Sequence, residues 1–183
     1  MDKTTAFSSE KSKFTRMCIG EALLSLMQDT PPDKITISDI AQKAGLSRMT
    51  YYRYYTSKTD ALQDYLEEMI ADYLLAQQNR PPQERFHDYT HILFSLEFFD
   101  RHAGFFLTMK RAGLYSIMID AINRFMEKQL PPRYPNSEYE LFYYAGALLN
   151  IFIKWEEDGK RLTAEEVAAI ICQFVSRPDS SVQ

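Results

Sequence analysis

Residues 35 to 58, ITISDIAQKAGLSRMTYYRYYTSK, constrain the fold more than any other stretch of this 183-residue chain. Thr36 followed by Asp39 has the spacing of a capping box, in which a hydroxyl and a carboxylate satisfy the first free amides of a helix. A helix is therefore expected from there to about Lys43, with Ile37, Ile40, Ala41 and Ala44 facing inward. Gly45 supplies the positive φ of a tight turn and Leu46 plugs the angle. Ser47 caps a second helix of about two turns beginning near Arg48. Ser57 or Thr56 then caps a much longer helix, about Lys58 to Gln78.

Upstream, Phe14, Met17, Cys18, Ile19, Ala22, Leu23, Leu26 and Met27 recur at helical spacing between Glu10 and Gln28, after a polar tail over residues 1–9. Asp29-Thr30-Pro31-Pro32-Asp33 breaks this helix, because proline donates no amide and biases the residue before it away from helical angles. Downstream, helices are expected over 83–100, 101–111, 114–130, 136 or 137 to 158, and 164–176. Arg80-Pro81-Pro82, the stretch His102 to Gly104, Gly113, the prolines at 131, 132 and 135, and Gly159 separate them. Thr163 with Glu166 forms another capping box. No segment alternates with a period of two outside a helical context, so the chain is expected to be all-α. It divides into a three-helix helix-turn-helix domain, 1–60, and a helical body, 61–183, with the connection inside the long helix. A polar tail is expected from Arg177 to Gln183.

A helix that reads DNA must be short, present polar groups from its leading turn and keep an apolar back. Arg48-Met49-Thr50-Tyr51-Tyr52-Arg53-Tyr54-Tyr55 divides that way. Tyr51 and Tyr55, four apart, share the inward face. Arg48 can meet guanine or phosphate, Met49 a thymine methyl and Thr50 a phosphate. Tyr52, Arg53, Tyr54 and Lys58 can reach the backbone on either side.

Residues 10 to 60 resemble the N-terminal domain of the TetR family of bacterial transcriptional regulators. The resemblance rests on the first amphipathic helix, ITISDIAQKAGLS, TYYRYY and Ser57-Lys58 at the family's spacing. It implies that Thr36 and Ser38 lie near the DNA backbone and that Ser47, Arg48, Met49 and Thr50 face the groove. Tyr52, Arg53, Tyr54 and Lys58 then bind mainly phosphate. Two departures stand out: Tyr54-Tyr55 replaces the commoner His-Phe or Tyr-Phe, so the Tyr55 hydroxyl is expected to be slightly hydrated, and Met49 replaces a smaller residue.

The resemblance implies a regulatory body that dimerises and responds to an unknown small-molecule effector or partner protein, so that the dimer binds a palindromic operator in double-stranded DNA, most simply as a repressor. Phe142 to Gly159 and Thr163 to Glu166 are similar to a C-terminal subtype frequent in Firmicutes regulators. The family's last two long helices form the dimer bundle, which here places Ala145, Gly146, Leu149, Ile153, Val167, Ile171 and Phe174 at the interface. Ala147 and Ile170 lie nearby. Among the body's aromatic and methionine residues, which include Phe99, Phe105, Phe106 and Phe125, Phe94, Phe98, Met109, Tyr115 and Met118 are the candidate ligand-lining set.

The remaining features exclude more than they assign. The formal charge is −4, with nine Lys and Arg against seven Asp and Glu through Asp60, and 12 against 18 after it. That modest asymmetry suits a DNA-reading end on an acidic body rather than a general polyanion binder. Cys18 and Cys172 sit in apolar helical patterns, as buried reduced thiols do. His87 and His91 are four apart, with Glu84 and Asp88 near, but no third ligand is compelled, so neither metal nor cofactor is expected. Glu156-Glu157-Asp158 reads as a solvated helix end. No phosphate-binding glycine loop, nucleophile elbow or paired-carboxylate site occurs, so no enzyme is expected. No run reaches the ~20 apolar residues of a membrane span, and the N-terminus lacks a secretory pattern, which points to the cytoplasm. The alternative role is a helical protein-interaction module with a vestigial DNA-binding head.

Overall fold

In the computed structural model, residues 3–78, 87–129 and 137–175 are described, and their regular structure is entirely helical. In chain order the helices are α1 (Lys3–Met27), α2 (Ile37–Lys43), α3 (Arg48–Tyr54), α4 (Lys58–Gln78), α5 (Tyr89–Arg101), α6 (Ala103–Arg111), α7 (Tyr115–Gln129), α8 (Ser137–Glu157) and α9 (Ala164–Val175). The chain forms an N-terminal helical bundle containing a helix-turn-helix and a C-terminal helical bundle. The expected breaks at Arg80-Pro81-Pro82 and at the prolines 131, 132 and 135, the start of the 83–100 helix with Glu84, the side chain of Phe125 and the 177–183 tail lie outside the described residues.

Two compact units emerge: Met1–Ile70 with Thr108–Ala121, and Ala71–Leu107 with Ile122–Gln183. In the first, α1 buries Ile19, Leu23 and Met27 at intervals of four, so one face of the helix is enclosed. α2 contributes Ile40 and Ala41, α3 contributes Tyr51, and α4 contributes Ala61, Leu62, Leu66 and Met69. Two expectations change here. α1 starts at Lys3 rather than Glu10, because no glycine or proline interrupts the chain before Gly20. Phe14, placed on the apolar face by spacing, is 70% exposed.

In the second unit α5 packs on α9 and on α8. Phe99, Phe106 and Phe152 form a closed triangle of rings at 5.3 to 5.6 Å in edge-on arrangements, the geometry that the ring quadrupoles favour. α5 starts at Tyr89, where Asp88 holds extended N-cap angles. His102 alone separates α5 from α6, and Gly104 lies within α6. The cysteines are free but half-buried rather than fully buried.

The end of α8 is more tightly built than a solvated terminus. The Gly159 amide donates to Glu156 O and the Lys160 amide to Trp155 O, each at 3.0 Å, closing a Schellman motif with Gly159 at φ +72°. Lys160 also holds a positive φ of 53°. Its ammonium pairs with Asp100 of α5 and, at 3.1 Å, with Glu156. The Glu156 side chain is only 7% exposed, and burial first pushes its carboxyl above the usual carboxylate range. The solvated-end expectation therefore fails at Glu156, which the helix turns inward against α5.

Candidate nucleic-acid interface

The geometry of 35–58 follows from its caps. Asp39 N donates to Thr36 Oγ1 at 3.2 Å while Thr36 N donates to Asp39 Oδ2 at 2.8 Å, completing the capping box. The Thr36 backbone bond, then its hydroxyl, holds the Asp39 carboxyl below its ordinary pKa. At the other end of α2, Gly45 takes φ +68°, and the Gly45 and Leu46 amides donate to Gln42 O and Ala41 O at 3.1 and 2.8 Å. This Schellman motif turns the chain sharply into α3. Ser47 Oγ accepts from the Thr50 amide at 3.0 Å and lies 2.9 Å from the Thr50 hydroxyl, so the cap and Thr50 form one polar knot at the leading end of α3.

α3 separates its faces cleanly. Tyr51 is fully buried, with its phenol donating to Ser57 O at 3.0 Å. Burial, followed by the Asp60 charge, pushes this phenol up to about 12. Tyr55, just beyond α3, is buried beside it with rings 5.7 Å apart. Its hydroxyl donates to the carboxylate of Asp64. On the outer side Met49 is 78% and Tyr52 49% exposed, and Thr36, Ser38, Ser47, Arg48 and Arg53 are also exposed. An apolar thioether left in solvent at the front of a short helix is available to a partner surface.

Two expected phosphate ligands are otherwise engaged. Tyr54 is half-buried. A hydrogen bond with Ser12 of α1, with help from Arg53 and Thr15, holds its phenol below the ordinary value. The Arg53 guanidinium lies 5.0 Å from the centre of the Tyr54 ring, so the two side chains present a stacked cation. The Lys58 ammonium donates to Pro32 O and, at 2.8 Å, to Ile35 O, tying the start of α4 to the loop before α2. Of the alternative caps for α4, Ser57 takes the position: its Oγ accepts from Asp60 N at 3.1 Å. Asp60 answers with bonds from the hydroxyls and amides of Thr56 and Ser57, which lower its carboxyl to about 2.

Spacing did not single out the clamp behind this motif. Arg16 of α1 bonds Asp64 and, at 2.6 Å, Glu68 of α4, and Lys13 reaches the other Glu68 oxygen at 2.8 Å. The available signal was a pair of cations three apart on α1 and a pair of carboxylates four apart on α4, each on one helix face.

The other expected sites divide differently. Phe94 and Phe98 come together, 6.3 Å apart, against Tyr73 in the second unit, whereas Met109, Tyr115 and Met118 belong to the first unit, with both methionines buried. Beside Phe94 and Phe98 lies a polar cluster that the sequence did not reveal: Tyr73 Oη is 2.7 Å from Ser95 Oγ, 2.7 Å from Gln77 Nε2 and 3.3 Å from His91 Nε2. His91 Nδ1 lies 3.3 Å from Gln77 Nε2, so the imidazole is used within the helical core, and among the described residues no three His, Cys, Asp or Glu are grouped to hold a metal ion. Of the expected dimer residues, Ala145, Leu149, Ile153, Val167 and Ile171 are buried within the chain. Phe174 is 69% exposed, and a Cβ added at Gly146 would meet open space. Tyr139, Phe142 and Tyr143 of α8 and Ile170 of α9 are exposed as well. Among the described residues, no helix is long and apolar enough to cross a membrane.

Residues 19–64 match the family described as bacterial regulatory proteins, tetR family. A 51-residue segment is 41% identical to the uncharacterised HTH-type transcriptional regulator YxbF of Bacillus subtilis (strain 168), covering 28% of this chain and 13% of that protein. Two solved structures share the fold at 20% identity. A tetR-family transcriptional regulator from Streptomyces coelicolor has a TM-score of 0.55 over 87% of this chain and 79% of its own, and the dihydroxyacetone kinase operon activator DhaS has 0.53 over 88% and 93%. Proteins of the family are non-enzymatic, and they generally bind DNA and dimerise. Residues 19–64, which hold the capped α2, the glycine turn and α3, carry a helix-turn-helix domain of the tetR family.

Proposed function

We propose that the protein is a homodimeric transcriptional repressor that places two copies of α3 in successive major grooves of a palindromic operator. The observation that carries this reading is the division of α3, which buries Tyr51 and presents Arg48, Met49, Tyr52 and Arg53 to solvent. Arg48, Met49 and Thr50 read base edges. Thr36, Ser38, Ser47, Tyr52 and the stacked Arg53–Tyr54 pair hold phosphates. Lys58 adds positive charge close behind them while its ammonium stays on the loop carbonyls. A second copy packs on the face of α8 and α9 that exposes Tyr139, Phe142, Tyr143, Ile170 and Phe174 and has open space beside Gly146. A small molecule or partner protein acting on the second unit, near Phe94, Phe98 and Tyr73, shifts the spacing of the two reading helices.

The test is footprinting and quantitative binding on the DNA flanking the protein's own coding sequence. Protection of a palindrome is expected, with log affinity falling linearly in log salt by roughly 0.9 per phosphate neutralised. Binding that is absent, or equal on every duplex, refutes the operator reading. Derepression of the flanking transcript on deletion of the chain distinguishes a repressor from an activator.

A further inference from the structure

We infer that Asp64 is the positioning residue of α3, joining Tyr55 at the end of that helix to Arg16 of α1 and so fixing the tilt at which the reading face is presented. The inference rests on the reading of α3 as the DNA-contacting helix. α3 has seven residues and buries only Tyr51, with Tyr54 half-buried beside Ser12 of α1, so a second buried anchor is needed to limit pivoting about the Tyr51 ring. The second anchor is Tyr55. It leaves α3 at extended angles, φ −136° and ψ 144°, and drops its phenol onto Asp64 Oδ2.

The carboxylate is itself held. Arg16 Nη1 takes Asp64 Oδ1 while Arg16 Nη2 takes Glu68, whose second oxygen takes Lys13. With both oxygens committed in different directions, Asp64 cannot turn without breaking a charge-assisted bond. Tyr51 and Tyr55 are thus fastened to different points of the α4 region, Ser57 O and Asp64. Two fixed points set orientation where one sets only position. Burial first, and the bond to Asp64 second, raise the Tyr55 phenol well above its ordinary pKa, so it remains a donor throughout the neutral range.

Tyr55→Phe removes the donor and keeps the ring; Asp64→Asn keeps the shape and removes the charge. In the full-length protein, amide exchange over 48–55 should accelerate relative to 37–43 by about tenfold or more in each variant, the size expected for loss of a hydrogen bond to a charged group. Affinity for the protected duplex should fall by a similar factor while thermal unfolding remains cooperative. The double variant should lose little more than Asp64→Asn alone, because the bond that Tyr55→Phe removes ends on the same carboxylate. Exchange over 48–55 that continues to track 37–43 overturns the inference, as does faster exchange with unchanged affinity. If the parent protein binds no DNA, the proposed function fails, but the exchange comparison still decides whether Asp64 orients α3. Should Asp64→Asn fail to fold, Tyr55→Phe answers the question alone.

Discussion

Gly20 of α1 approaches Tyr65 of α4 so closely that a β-carbon at Gly20 would lie 2.4 Å from Tyr65 Cδ2 and 2.9 Å from its Cβ and Cγ. Glycine inside a helix ordinarily costs about 1 kcal/mol against alanine, so Gly20→Ala would stabilise an isolated α1. Here the obstructing atoms include the root of the Tyr65 side chain, which cannot swing away as a flexible tip can. Overpacking of this kind costs about 1 to 3 kcal/mol, enough to reverse the sign. A lower melting temperature is expected for Gly20→Ala, with recovery on adding Tyr65→Ala; a higher one in the single variant would show that the helices separate easily.

The two buried phenols make stability depend on alkaline pH. The Tyr51 pKa rises from 10.0 to about 12 on folding, and that of Tyr55 rises as well. A raised folded pKa means that the native state holds the proton more tightly. The contribution is complete below pH 10 and is lost as pH climbs through the folded value. Melting temperature should therefore fall from about pH 10 upward, and part of the phenolate absorbance should appear only with unfolding. Tyr51→Phe should be less stable at neutral pH, by about 1 kcal/mol for the lost bond to Ser57 O, yet show a flatter alkaline decline.

Much of the first unit was legible because its signals are local. The bonds of Thr36 to Asp39, Ser47 to Thr50 and Ser57 to Asp60 each span three residues, and the inward placement of Tyr51 and Tyr55 follows from one helical turn. Arg16 with Asp64 spans 48 residues and Lys58 with Pro32 spans 26. Such pairings depend on how helices cross, which a repeat of 3.6 residues does not encode. The same gap hid the Tyr73, Gln77, His91 and Ser95 cluster, whose bonds between α4 and α5 span 14 to 22 residues. For the same reason the sequence alone does not separate packing from assembly at Leu149 and Ile153, since an apolar stripe has the same pattern whether its neighbour is a helix of the same chain or of another.

Arg48 and Met49 test the reading surface without disturbing the fold. Met49 is 78% exposed, and substitutions at such positions usually change stability by less than about 0.5 kcal/mol. Met49→Ala should leave the melting temperature unchanged and alter preference at a thymine-containing position. Arg48→Ala should lose roughly 1 to 3 kcal/mol on the operator and relax preference at one base pair. If Arg48→Ala weakens binding equally on operator and random duplex, Arg48 contacts phosphate and the base-reading assignment to it fails.

Trp155 reports on the second unit, because it is the chain's single tryptophan. Its Nε1 donates to Leu162 O at 2.8 Å across the turn that follows α8, and Lys160 Nζ lies 5.3 Å from the ring centre. Trp155→Phe keeps an aromatic ring but leaves the Leu162 carbonyl without this donor and a smaller ring in the space. A loss of about 1 to 3 kcal/mol is expected, measured by denaturant unfolding followed by circular dichroism. A neutral result would mean that the turn is held by Gly159, Lys160 and Asp100 without the indole bond.

The exposed row on α8 and α9 gives the sharpest separation between packing and assembly. Tyr139, Phe142, Tyr143 and Gly146 recur at intervals of three and four on α8, and Ile170 and Phe174 are four apart on α9, so each set occupies one helix face. Tyr143 and Phe174 are 68% and 69% exposed in the single chain. Tyr143→Glu with Phe174→Glu should therefore preserve helix content but give a monomer in sedimentation equilibrium. Operator affinity should fall by about 10²- to 10⁴-fold as binding to the two half-sites becomes independent. Leu149→Ala should behave oppositely: Leu149 is 1% exposed, so truncation costs about 2 to 5 kcal/mol of folding stability before any effect on assembly. A double glutamate variant that remains dimeric would place the partner surface elsewhere on the second unit.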